Sequence, residues 1–407
     1  MVNASQLGKN VGVIDPLVWT RDVADSYFVY TGYSSCKNFF ITRKDLSPVN
    51  GSISLNSKTT FNLPINSDKV GPLQLFFTLS ALGTTSLTDE PAYQDFAGLC
   101  AWENITIFYS SNDIYTITPE EAYVKYRQLL DLEEREAAAE LLGGDLSPTQ
   151  RASRALDDQV FILDLNFPFT RATNRWLEIM QLAHEPRIEI KWKKLEDIVQ
   201  TTAPDDLTGG GLTDVFLRQT LAHIDGDERD SHTNSTEAED GLIRIMDEVK
   251  TEVQTIPSGT TGVRRIKLNN FRTASKKISF MIRPKSALTT AYDNDYFGTL
   301  TPIDNWYLEA VDGRIIEPIE DRYNRFYLHG LYHRAPPGEY IYEHCFAMAP
   351  DDLLNASGSM NFGNSSNITL VIDFGSVTLG EDYQLDVHVN EYNFLQHVRG
   401  DWIKNFK

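Results

Sequence analysis

Cysteine is scarce in this chain: Cys36, Cys100 and Cys345 are odd in number and far apart. That excludes a disulfide framework, offers no zinc-finger spacing and favours a reducing compartment. Positive charge is also in short supply, with 37 Lys and Arg against 57 Asp and Glu and a net charge of -20. Neutralising a phosphate backbone needs clustered Lys and Arg, so direct nucleic-acid binding is not expected. The acidic balance reads as a solvated surface. No apolar run of about 18 residues is present, so no helix is expected to span a membrane. The opening MVNASQLGKN has no basic start followed by an apolar core, which reads as the absence of a secretory signal. The Asn-x-Ser/Thr sequons at Asn3, Asn50, Asn104, Asn234, Asn355, Asn364 and Asn367 are therefore read as products of loops rich in Ser, Thr and Asn. Walker A, dinucleotide-glycine, nucleophile-elbow and HExxH patterns are all missing. No catalytic, cofactor-binding or metal-ligating residue is expected.

What is present is a length of 407 residues, 41% apolar and 23% charged, comfortable for two domains of near 200 residues each. Residues 1–37 are polar and irregular, an N-terminal arm. From Asn38 the pattern turns extended, and 71–79 (GPLQLFFTL) alternates and then becomes apolar, as a strand buried on both faces would. Residues 102–109 and 160–166 are further strands. Between them Thr118-Pro119-Glu120-Glu121 starts a helix, with Thr as N-cap, Pro at the first helical position and acids in the first turn. The helix is expected to run to Gly143-Gly144, within a helical insertion of about 112–158. The expected first domain spans 38–202. Residues 203–214 (APDDLTGGGLTD) read as a linker, and 215–407 as the second domain.

In the second half, 225–240 reads as an exposed loop, and periodicity leaves 241–254 open between strand and helix. Residues 264–271 and 276–282 alternate as strands, and 306–314 as a strand ending in a turn whose Gly313 can take positive φ. Residues 338–374 read as strand, Pro350-Asp351 turn, small-residue loop and a second, β-branched strand.

Three groupings invite chemistry. His184-Glu185, at a strand entry, is tempting as an acid/base pair, but such a lone pair is more often a structural hydrogen bond. His329 and His333, with His344-Cys345 nearby, could be drawn as a metal site. On a strand the two would share a face yet lie about 13 Å apart, and only a helix, against the β pattern here, would bring them together. Carboxylates such as Asp351-Asp352, Glu317, Glu320 and Asp321 are abundant, but no motif organises them as a glycosidase pair.

Several blocks, in order, resemble the double jelly-roll major capsid proteins of nucleocytoplasmic large DNA viruses and their relatives, including virophages. In the second half these are Gly338, Tyr340 and Tyr342, then Phe346-Ala347, Pro350 and Asp352, then Ser357-Gly358-Ser359, Asn361-Phe362, and Asn367 with Thr369-Leu370. In the first half they are LPINSDKVGPLQLFFTLSAL over 63–82, and Arg171, Leu177–Met180, Leu182, His184-Glu185 and Ile188-Glu189-Ile190. Residues 271–280, 306–314 (WYLEAVDGR) and Asn390–Leu395 follow in the family's order. The departures mark a divergent member: His344-Cys345, Met348, Met360 and Gly363 replace family residues, Ser80 stands where a proline is usual, and the His-Pro expected near 272–274 is absent.

The resemblance implies an all-β protein of two tandem eight-stranded jelly rolls, with a helical insertion in the first. It implies a structural, non-enzymatic protein of the virion that trimerises into pseudo-hexagonal capsomers tiling the icosahedral capsid of a double-stranded DNA virus. Its implied partners are itself as a homotrimer, neighbouring capsomers, minor capsid and penton proteins, and an internal membrane. The inserts 110–158 and 225–240 would then form the outer tower or the grip between subunits. The rival reading is a carbohydrate-binding or carbohydrate-active double β-sandwich, which would explain Trp306 and Tyr307 if they were exposed.

Overall fold

A computed structural model describes residues 39–404 apart from 50–52, 87–88, 171–174, 181, 225, 227–228, 232–233, 235–240, 299, 312, 334–335, 338, 353–355 and 365–366. The N-terminal arm and most of the 225–240 loop lie outside the described residues.

Alternation of apolar and polar residues writes most of the chain as strands. In the first half these are β1 (Phe39–Leu46), β2 (Lys58–Asn62), β3 (Lys69–Leu79), β4 (Trp102–Tyr109), β5 (Asn112–Ile117), β6 (Gln159–Asp164), β7 (Arg187–Trp192) and β8 (Leu212–Ile224). In the second they are β9 (Leu242–Ile256), β10 (Val263–Lys267), β11 (Ala274–Pro284), β12 (Asn305–Ala310), β13 (Gly313–Arg314), β14 (Tyr342–Cys345), β15 (Thr369–Asp373) and β16 (Tyr383–Val398). The first half forms two antiparallel sheets of order β1-β8-β3-β6 and β2-β7-β4-β5. The second repeats this with every number raised by eight: β9-β16-β11-β14 and β10-β15-β12-β13. Such an order, in which the first and last strands of a half are neighbours, is that of the eight-stranded jelly roll. The two-jelly-roll, all-β architecture expected from the sequence is therefore present.

Four expectations change. The linker at 203–214 is not one. Leu207–Gly209 pairs with Leu82–Thr84, and β8, which the sequence assigns to the second domain, lies between β1 and β3 of the first. Gly209 and Gly210 have φ of 77° and 73°, and a Cβ on Gly209 would meet the Ala81 carbonyl oxygen at 2.2 Å. The glycines make a tight turn against a neighbouring backbone, which a Cβ would block.

The helical insertion begins later and is divided. Residues 112–117 are strand β5, and the helices are α1 (Pro119–Leu129), α2 (Leu132–Leu142) and α3 (Pro148–Ala155). Thr118 caps α1 as expected, but Leu130 is extended, and Asp131 opens a fresh capping box with Glu134. Strand β3 buries one face only. Leu73, Leu75, Phe77 and Leu79 enter the core, while Phe76 on the opposite face is stacked on Phe216 and covered by Arg218.

The fourth change is residues 323–332, which are helical (Tyr323–Leu328, then His329–Tyr332), not extended. Asn324 fastens the helix to β14: its Oδ1 accepts from Glu343 N at 3.0 Å and its Nδ2 donates to Glu343 O at 2.6 Å. The undecided segment 241–254 is strand β9, paired with β16 from Leu242–His397 to Ile256–Tyr383.

Candidate functional site: the seam between the two jelly rolls

Alternation on β11 and β16 sends Ile278, Phe280, Ile282, Leu385, Val387 and Val389 into the second core. The intervening side chains, Lys277, Arg283, Asp386 and His388 among them, must then emerge on the outer face of the sheet. There they are almost completely buried, because α1 of the first half lies near them. Several of the residues buried at this seam are charged and matched across it.

Arg283 is the centre of one cluster. Its Nη2 lies 2.6 Å from Asp386 Oδ2 and 3.1 Å from Glu120 Oε1, and its Nη1 donates to the Tyr296 carbonyl at 3.1 Å. Tyr296 OH donates to Glu120 Oε1 at 2.6 Å. Burial alone would raise the Glu120 carboxyl's pKa; the Arg283 charge and the Tyr296 hydroxyl outweigh it and hold it at about 2. Burial opposes the charge on Arg283 too, and Asp386 and Glu120 more than restore it.

A second cluster is built on Glu343 of β14. Its Oε2 accepts from Gln128 Nε2 of α1 at 2.5 Å and lies 3.2 Å from Lys277 Nζ, which also reaches Gln128 Oε1 at 2.8 Å. Its Oε1 contacts His333 Nε2 and takes the Cys345 thiol at 3.2 Å. His333 Nδ1 in turn lies 2.7 Å from Asp351 Oδ2. His329, one helical turn before His333, is buried; one ring N–H faces the Ile341 backbone, and the other ring nitrogen has no hydrogen-bond partner among the described residues. Burial pushes its pKa down to about 4, so it is the neutral imidazole.

Elsewhere along the seam, buried Glu178 of the first half holds Arg244 of β9, with Nε and Oε2 2.9 Å apart, and Lys69 at 3.3 Å. Trp402 Nε1 donates to Glu178 O at 3.3 Å, and Tyr109 OH donates to Gly400 O at 2.6 Å. Apolar packing is continuous across the join: Met246, Met281, Phe297, Leu300, Ile341, Leu395 and Trp402 belong to the same cluster as the first core.

The sequence-named residues divide accordingly. His184 and Glu185 are exposed and organise nothing. Asp321 pairs with Arg325 and accepts from Tyr342 OH at 2.9 Å, a fastening rather than an acid/base pair. Glu317 pairs with exposed Arg314. Trp306 is completely buried, which removes the exposed aromatic that a carbohydrate reading would have explained. Arg283, Glu120, Gln128, Lys277 and Glu343 were not singled out from sequence. The one available signal was unbroken charge placement inside otherwise apolar strands.

No protein-family model matches the chain, and no curated protein matches it. Solved structures do. The capsid of the virus PBCV-1 aligns with a TM-score of 0.76 at 15% identity, over 94% of this chain and 100% of that one. The Faustovirus major capsid protein aligns at 0.74 and 10% identity, over 95% and 94%. The mavirus major capsid protein aligns at 0.53 and 12% identity, over 95% and 93%. The chain has the double jelly-roll fold. Both jelly rolls and their seam fall within the aligned span, so the double jelly roll accounts for nearly the whole chain rather than one half of it.

Proposed function

We propose that this double jelly roll is a major capsid protein, a structural rather than catalytic protein of the virion. Three copies would form a pseudo-hexagonal capsomer tiling the shell of an icosahedral double-stranded DNA virus. The observation that carries the reading is the repeated strand order: three chains, each with two sandwiches of the same topology, give six similar blocks about a threefold axis. Near-complete alignment with the capsid proteins of PBCV-1, Faustovirus and mavirus supports it. Exposed apolar residues support contacts with other copies: Phe39, Phe40 and Ile41 on β1, and Tyr323, Phe326, Tyr327 and Leu331 on the 323–332 helix. Neighbouring capsomers, minor capsid and penton proteins and an internal membrane complete the proposed surroundings.

The rigid seam suits this role. A capsomer holds its outline only if the two sandwiches of each chain keep a fixed mutual orientation, and directional buried ion pairs supply that. The test is the mass of the purified protein by native mass spectrometry, with negative-stain imaging. A species near three times 46.1 kDa with hexagonal outlines is the expected result. A clean monomer at micromolar concentration overturns the obligate trimer.

A further inference from the structure

We propose that His329, His333 and Glu343 form a structural binding site for a divalent zinc-type cation at the seam. The inference stands on this chain's geometry and is independent of the capsid reading.

The helix at 323–332 places His329 and His333 four residues apart, one turn, with ring centroids 5.6 Å apart. The strand premise that set these rings about 13 Å apart does not hold. Glu343 faces them from β14, and one ligand atom from each of His329, His333 and Glu343 lies within 4.8 Å of the others. All three residues are buried. Cys345, two residues along the strand from Glu343 and thus on the same face, brings its Sγ to 3.2 Å from Glu343 Oε1. Two imidazoles and a carboxylate form a three-ligand N/O donor set of the kind that holds zinc, with the Cys345 thiol lying beside the carboxylate oxygen.

An independent observation points to a ligand. His329 is 1% exposed; one ring N–H faces the Ile341 backbone, and the other ring nitrogen has no hydrogen-bond partner among the described residues. A buried polar group left without a partner costs on the order of 1–3 kcal/mol, and a cation accepting the imidazole lone pair would remove that cost. The surrounding groups also suit a metal. His333 holds Asp351 at 2.7 Å through the nitrogen that faces away from Glu343, the arrangement that orients a metal-bound imidazole. Gln128 and Lys277 bind the other oxygen of Glu343, leaving Oε1 for the metal. The cation would take the place of the direct His333–Glu343 contact. It would pin the helix bearing Tyr323, Phe326, Tyr327 and Leu331 to β14, beside the Gln128 contact with α1.

The experiment uses the full chain freed of metal by chelator and titrated with Zn2+, with Co2+ as the spectroscopic probe. One tightly bound equivalent per chain is expected, with the intense visible bands of low-coordinate Co2+. His329→Leu is the informative variant, since the one polar contact His329 has to lose is its approach to the Ile341 backbone. Zinc affinity should fall at least about 100-fold in it, while the metal-free protein keeps the parent's thermal midpoint. Absence of a tight equivalent, or zinc binding unchanged in His329→Leu, overturns the proposal.

Discussion

The two jelly rolls share one strand order and treat the outer face of the corresponding sheet in opposite ways. In the first, the face of β1-β8-β3-β6 carries Gln74, Phe76, Phe216 and Arg218, half-buried or more open, with Arg218 and Asp45 directly paired across β8 and β1 at 2.7 Å. In the second, the face of β9-β16-β11-β14 is covered near α1, and Arg283 and Asp386 pair across β11 and β16 at 2.6 Å with almost no exposure. Both are cross-strand Arg–Asp contacts of similar length. Their environments differ, and so should their energetic weight: an exposed pair competes with water and salt, whereas a buried one cannot be broken without stranding a charge. Identical topology therefore leaves the role of an outer face open until something packs on it.

The comparison breaks most sharply at Arg283. Replacing it, as Arg283→Met, strands Asp386 and Glu120 in the seam and should cost about 3–5 kcal/mol, read as a fall in the denaturant midpoint. The same change at Asp45's partner, Arg218→Met, is the control described below. Acid should act on the same cluster. Glu120's folded pKa is depressed from 4.5 to about 2, so its contribution is fully present above about pH 4.5 and is lost as pH falls towards 2. Glu120→Gln should flatten the stability profile in that window, and an unchanged profile would remove Glu120 from the account. A smaller effect belongs to the backbone of the first half. Gly209→Ala forces a Cβ onto the Ala81 carbonyl at positive φ and should cost about 2 kcal/mol in a thermal melt. Least of all, Arg218→Met should leave the midpoint nearly unchanged, with any difference vanishing in high salt.

Particular residues show what could be read in advance. Strands β3 and β4 were legible as extended, apolar-rich runs, although β3 was read as buried on both faces, and part of β16 was legible only through the resemblance of Asn390–Leu395 to the family. The start of α1 was legible in Thr118-Pro119-Glu120-Glu121. Its end was legible in principle, since Asp131 and Glu134 spell a capping box, but the apolar AAAELL segment masked the break at Leu130. The helix at 323–332 was not legible. Its aromatic-rich run favours strand by local propensity and Gly330 weakens a helix, and the helix is fixed by Asn324 clasping the Glu343 backbone and Asp321 binding Arg325 and Tyr342. That one misreading also separated His329 from His333 and hid their approach to Glu343. Three glycines over 209–211 looked like a linker because flexible connections and tight positive-φ turns use the same residue.

Local pattern by itself determined where many of the strands and the start of α1 lie, because alternation and turn chemistry act between neighbours along the chain, while the two-jelly-roll architecture was implied by the family resemblance. Only the tertiary structure decided that β8 closes the first jelly roll, that α1 covers one sheet and not the other, and that Arg283 meets Glu120 while Lys277 meets Gln128. Those partners lie 163 and 149 residues apart. No local rule relates such residues, and a buried charge acquires its partner only when packing excludes water from both.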